Sequence, residues 1–202
     1  MIAIPFIIIF ALLAIYKGQW IRKHNVKLYI IAVVLAVVTY FLIDKVKIIE
    51  PFIQGYLGLS LLYVVMFTGA LKDKSKLKIK LVSVRREYSI LGFIFISTHG
   101  IRYYLDYFGS SPAIERLVGV VAFLIMVPLF ITSFMKIRRK MSRRLWVNLQ
   151  RFAYVVYVLI FIHLLLMASM PNLLVYIVLF VPYFILKAIK EVKKYRSNNK
   201  DK

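Results

Sequence analysis

The chain carries three histidines, and two of them, His99 and His163, fall inside long apolar stretches. A polar ring placed in hydrocarbon is costly unless it has a partner. Ionisable residues inside membrane segments are therefore functional-site hypotheses by default. His99 follows Arg86 by thirteen residues and His163 follows Arg151 by twelve. At about 1.5 Å of rise per residue, each imidazole lies roughly 18–20 Å from the basic end of its segment. One such histidine is readily explained by an interhelical hydrogen bond. Two at matched depth on separate helices favour a shared task. Imidazole suits iron, zinc or copper. The chain contains no cysteine, which excludes thiolate sites, iron–sulfur clusters and disulfides. No carboxylate lies near the pair in sequence, which disfavours zinc or di-iron. A haem needs only two axial nitrogens and an apolar slot, so His99 and His163 are the expected haem iron ligands. His24 sits in a basic loop and is expected to be solvated.

Neighbouring residues fit this reading or a plainer one. Gly92 and Gly100 flank His99, and either lets a flat macrocycle approach the backbone or lets helices pack closely. Arg102 stands one turn beyond His99. Its guanidinium suits a haem propionate, and it suits equally an ion pair with Asp106 at i+4.

The elements that must position these residues are membrane helices. The chain is 202 residues long and 62% hydrophobic, with a mean hydropathy of +0.80, well above the roughly 45–50% apolar content of soluble domains. Seven segments approach the ~20 apolar residues that span a bilayer. They cover about residues 2–17, 28–44, 51–71, 87–108, 113–135, 151–169 and 172–189. The expected fold is all-α, a polytopic transmembrane helical bundle of about seven helices.

Net charge is +21, and the basic residues alternate between loops. Runs around Lys17–Lys27, Lys72–Arg86 and Lys136–Arg151 and the last residues from Lys187 are strongly basic. The intervening loops offer only Lys45 and Lys47, then Arg116, then none. Cytoplasmic loops are the Lys/Arg-rich ones. The expectation is a multi-pass cell-membrane protein with its N-terminus outside and its C-terminus cytoplasmic. The charge is assigned to topology and anionic lipid contact, not to nucleic acid, for which no motif is present. The N-terminal stretch lacks a basic leader and a small-residue cleavage site, and is read as a retained helix. Ser111-Pro112 is expected to cap the fifth segment. Pro171-Asn172 is expected to turn the chain between the last two, and Pro128 and Pro182 to kink their helices.

Several stretches are similar to a known family. RREYSILGFIFISTHG, from Arg85, and LVGVVAFLIMVPLFITS, from Leu117, resemble two core helices of the ferric reductase-like transmembrane family. The pattern Trp146, Leu149, Gln150, Phe152 and Tyr154, ending at His163, resembles the helix that carries the second ligand. Within the family the chain looks most like the MsrQ (YedZ) type, the haem-binding membrane subunit of a methionine sulfoxide reductase system. The resemblance covers about residues 51–185. It implies a six-helix haem-binding core over 28–190, preceded by an extra transmembrane helix and inside loop over 1–27 and followed by a basic cytoplasmic tail over 191–202.

The resemblance also implies a b-type cytochrome that carries electrons across the membrane. Many members hold two haems. Here the inner ligand positions correspond to Arg85 and Gln150, neither a plausible axial ligand, so one haem b is expected. The inner half then needs another carrier, FMN or FAD, or a quinone. Arg85, Arg86 and Arg151 could take flavin phosphate, Gln150 could hydrogen-bond the ring and Trp146 could stack on it. The plainer account makes these residues inner anchors and an interfacial tryptophan. No G-x-G-x-x-G turn is present, so the chain is read as an electron-transfer subunit without its own nicotinamide domain. Its donor is a separate cytosolic flavin/NAD(P)H reductase or quinol. Its acceptor is an extracytoplasmic reductase partner or ferric iron. The competing function is a histidine-dependent proton or metal-ion transporter. The lack of an intramembrane carboxylate or an inverted repeat argues against it.

Overall fold

The computed structural model describes residues 3–42, 50–106 and 113–200. Among these the chain is helical and forms one bundle. Ten helices follow in order: α1 (Ala3–Lys23), α2 (Asn25–Leu42), α3 (Glu50–Ile53), α4 (Tyr56–Thr68), α5 (Lys76–Ser83), α6 (Arg85–Asp106), α7 (Ile114–Ile131), α8 (Met135–Arg138), α9 (Arg143–Met167) and α10 (Met170–Lys200). Five of them, α1, α2, α7, α9 and the 172–197 stretch of α10, are long and apolar enough to cross a membrane. The chain is a multi-pass membrane protein.

α4 is at the centre. Its sequence, YLGLSLLYVVMFT, is apolar on every side, and the helix is buried almost throughout. An all-round apolar helix belongs in a core. One cluster joins it to α1, α2, α5 and α6 through Leu61, Val64 and Val65. A second joins it to α9 and α10 through Tyr63 and Met66. A third sets Leu62 against Phe93 of α6, Met126 of α7 and Val156 of α9. Gly58 and Gly92 bring α4 and α6 into backbone contact, since a Cβ on Gly58 would stand 2.9 Å from the Gly92 carbonyl. Gly92 therefore serves helix packing, the plainer of its two sequence readings.

Polar side chains tie the bundle across helices. The Tyr63 hydroxyl donates to the Leu179 carbonyl at 2.8 Å, and that of Tyr88 to Phe10 at 2.8 Å. Ser60 donates to the Ala3 carbonyl at 3.1 Å. Such bonds average about 0.6 kcal/mol in a membrane protein. Toward the C-terminal end of α10, the Lys190 ammonium donates to the carbonyls of Gly69 (3.2 Å) and Leu71 (2.9 Å) and to Asp73 (2.9 Å). It thus caps the C-terminal end of α4, where carbonyls lack helical partners.

Several boundaries differ from expectation. The third segment is not one helix: it breaks at Gln54–Gly55, where Gly55 takes φ +77°. α1 runs past residue 17 but leaves helical geometry there, with Lys17 at φ −120° and ψ 15°. Ser75 and Ser142 cap short and long helices in the basic loops, accepting from Lys78 N and Leu145 N at 3.2 Å. Ser142 starts α9 eight residues before the expected point, because Arg143–Gln150 still has strong helix formers. α10 continues helical to Lys200 through the basic stretch expected as a tail. The chain turns at Ala168–Ser169, and Pro171 lies in the first turn of α10, so the turn expected at Pro171-Asn172 is displaced. Proline suits that position because its missing N–H has no helical acceptor there. α7 and α10 run through Pro128 and Pro182. The cap expected at Ser111-Pro112, and the loop lysines Lys45 and Lys47, lie outside the described residues.

Candidate functional site

α6 and α9 bring the two half-buried histidines together. The His99 and His163 ring centroids are 6.3 Å apart, with planes at 74°. In a metal-bound imidazole the nitrogen is about 2.0 Å from the metal and the centroid about 1.1 Å beyond it, so two imidazoles on opposite sides of one metal have centroids about 6.2 Å apart. The observed spacing matches that figure. Among the described residues no group of three or more His, Cys, Asp or Glu could hold a metal. The site offers two nitrogens, which is the donor set of a bis-histidine haem and less than a zinc ion requires.

Each ring is seated. His163 Nδ1–H donates to the Glu115 carbonyl in the first turn of α7 at 2.8 Å. A hydrogen bond at one ring nitrogen sets the tautomer and leaves Nε2 with its lone pair, as metal-bound histidines require. Gly119, one turn further along α7, makes room for the ring: a Cβ there would stand 3.1 Å from both His163 Cε1 and Nδ1. His99 lies against Gly55, whose Cβ would meet its Cγ at 3.2 Å. Tyr103 flanks the other side, with centroids 4.7 Å apart. The left-handed turn at Gly55 thus places the start of α4 against one imidazole. Irregular backbone at membrane depth is tolerated where protein covers it.

The flanking residues divide. Gly100 is close to Phe123 of α7, with a Cβ distance of 3.7 Å. Arg102 Nε donates to Asp106 at 2.9 Å, the ion pair of its plainer reading.

Toward the basic ends of α6 and α9 the bundle forms a partly open cavity of about 60 Å³. Arg85 and Gln150 both line it, with Ser89, Phe93, Ser133 and Tyr157. Thirteen residues at about 100° each do not return to the same helix face, yet Gln150 does point inward. Its amide donates to Thr132 Oγ1 at 3.2 Å and to the Leu129 carbonyl at 3.4 Å. The other three inner candidates stand elsewhere. Arg86 pairs with Glu87, its Nε donating to Oε1 at 3.0 Å. Trp146 donates to the Thr132 carbonyl at 3.2 Å and is covered by the Arg138 guanidinium, 4.0 Å above its ring. Arg151 is exposed. Phe93 and Phe130 of the cavity wall stack 4.3 Å apart, and Phe93 lies 5.3 Å from Phe123, both near-parallel.

Glu87 corrects the expectation that no carboxylate is buried in the bundle. It is 2% exposed at the N-terminal end of α6. Its partnership with Arg86 makes it a satisfied ion pair, since a buried charge requires a counter-charge.

The chain matches the family described as ferric reductase like transmembrane component over residues 54–161, more than half its length. It belongs to that family. The matched stretch of this ferric reductase-like domain begins one residue before Gly55 and ends two residues before His163. It holds α4, α6, α7 and most of α9, the helices that surround both the histidine pair and the cavity lined by Arg85 and Gln150. A curated relative, an uncharacterised protein from Treponema pallidum (strain Nichols), is 27% identical over 166 residues, covering 72% of this chain and 46% of its own. The chain thus spans under half of that relative's length. No solved structure matches.

Sequence reasoning singled out His99 and His163 but not the residues they rest on, Gly55, Gly119 and the Glu115 carbonyl. Gln54-Gly55 inside an apolar run was a visible break signal. Gly119 and a backbone carbonyl carry no signal until α7 is docked on α9.

Proposed function

We propose that this chain is a b-type cytochrome subunit, of the MsrQ (YedZ) type, that moves electrons across the membrane through one haem b. The observation that carries the reading is the 6.3 Å spacing of the His99 and His163 rings, with His163 Nδ1 tied back to a carbonyl. A haem bound between them supplies one-electron transfer at an iron screened from water. His163 presents Nε2 in a fixed tautomer, and Gly55 and Gly119 keep both rings from being pushed inward. Arg102, half-exposed beside Asp106, is in reach of a propionate at the outer rim.

In the inner half, Arg85 and Gln150 replace a second ligand pair. Arg85 offers charge and Gln150 an amide to a flavin, FMN or FAD, or to a quinone. The lining side chains must give way for such a ring, because 60 Å³ accommodates only waters. Arg86, Trp146 and Arg151 act at the rim as basic anchors and an interfacial tryptophan. α5, α8 and the end of α10 are rich in lysine and arginine, and Lys78 and Lys190 meet at Asp73, which supports a cytoplasmic C-terminus, an external N-terminus and a cell-membrane location. Electrons enter from a cytosolic flavin reductase or from quinol, and leave to an extracytoplasmic reductase partner or ferric iron.

The purified protein is expected to show a Soret band, and reduced α and β bands with dithionite. His99→Ala and His163→Ala each remove bound haem while the protein still elutes as a monodisperse species. Full haem retention in both variants refutes the assignment.

A further inference from the structure

α1 and α2 hardly touch. α1 lies on α4 and α5, whereas α2 lies on α6. The groove between them has a volume of about 390 Å³. Leu13, Leu61, Leu91 and Phe95 make it apolar, and Lys17 and Trp20 stand at one end. Along α1 the lining runs from Phe10 to Trp20, about 15 Å at 1.5 Å per residue. That is half of a hydrocarbon core of about 30 Å, the depth of one leaflet.

The polar end selects by charge. Lys17 sits where α1 leaves helical geometry. The Lys17 ammonium and the Trp20 indole are donors only. The Tyr88 hydroxyl in the same wall already donates to the Phe10 carbonyl at 2.8 Å. α5 borders this end through Ser83, which stands against Gly18, and Lys80 lies 5.8 Å above the Tyr16 ring. A quinone head is neutral and leaves the Lys17 ammonium without a counter-charge, whereas a phosphate supplies one.

We infer that this groove binds an anionic phospholipid, with one acyl chain along Leu13, Leu61 and Leu91 and the phosphate at Lys17 and Trp20. Basic pockets between membrane helices recognise anionic headgroups in this way. No part of the inference involves the histidines or the haem.

The test reconstitutes the full chain in phosphatidylcholine vesicles containing phosphatidylglycerol, re-extracts it in mild detergent and counts retained lipid by native mass spectrometry. The wild type is expected to keep one phosphatidylglycerol per chain. Lys17→Gln should lower the phosphatidylglycerol-to-phosphatidylcholine ratio about fivefold, and Lys17→Arg should preserve it. Leu13→Trp, which fills the groove, should release both lipids; Lys17→Gln, on an exposed side chain, decides the question if that variant does not fold. Unchanged retention and headgroup ratio in Lys17→Gln overturns the inference. So does recovery of an isoprenoid quinone in place of phospholipid from the wild type.

Discussion

Gly119→Ala puts a methyl group where the structure leaves space for His163. Its carbon would stand 3.1 Å from His163 Cε1 and Nδ1, so the ring must retreat by a few tenths of an ångström. The Nδ1 to Glu115 carbonyl bond, 2.8 Å long, then stretches toward the limit of a useful hydrogen bond. Loss of such a bond costs about 0.5–1.5 kcal/mol, or roughly two- to twelvefold in haem affinity. Outer partners of metal-bound histidines are worth about 10–100-fold when removed outright, so the partial displacement belongs at the lower end. The assay is haem titration of the apoprotein, followed at the Soret band, together with the midpoint potential. Gly100→Ala is the internal control, because its Cβ would meet Phe123 at an ordinary 3.7 Å and should leave affinity unchanged. Equal weakening by both substitutions would refute the seat argument, since it would reduce Gly119 to general helix packing. Wild-type affinity and potential in Gly119→Ala would refute it as well.

Other outcomes follow from the same geometry. Gly55→Ala forces a left-handed residue to carry a Cβ at about 1–2 kcal/mol and crowds His99, so haem content and thermal stability should fall together. Gln150→Leu removes an amide from the inner cavity but leaves the histidines alone. The Soret band should persist while reduction by an inner-side donor slows, and unchanged reduction kinetics would argue against a carrier there. Lys190→Met uncaps α4 and should lower the melting temperature in detergent by an amount that Lys190→Arg largely restores. Asp73 is held at about 2 by hydrogen bonds from Lys78 and then Lys190. A depressed carboxyl pKa contributes stability above the ordinary value near 3.8, lost as pH falls through about 2. Melting should therefore be insensitive to this group from pH 5 to 9, and Asp73→Asn should flatten only the acid limb.

The membrane class and the histidine pair were legible in the sequence because both depend on local properties. Apolar run length sets the spans, and offsets of thirteen and twelve residues of His99 and His163 from Arg86 and Arg151 set their depth. Distances between helices were not legible. That His99 rests on Gly55 and His163 on Gly119 depends on how α4 and α7 dock, and no periodicity encodes that. Arg86, Trp146 and Arg151 looked like Arg85 and Gln150 in the sequence, as polar groups near the inner boundary. Their neighbours Glu87, Arg138 and Thr132 decide which of them reach the cavity. Gln54-Gly55 marked a break in an apolar run, but the contact that this turn makes with His99 was not legible.

The shortness of α4 bears on how the protein is made. Thirteen residues span about 20 Å, well short of the roughly 30 Å that a lone helix must cross. Emerging from the ribosome before α6, α9 and α10, it has no lipid-matched resting place of its own. Only when the final helix arrives, with Leu179 accepting from Tyr63 and Lys190 closing over Gly69 and Leu71, is its surroundings complete. Synthesis stalled ahead of residue 179 should thus leave a nascent chain that membrane quality-control proteases recognise, whereas one stalled past residue 190 should escape them.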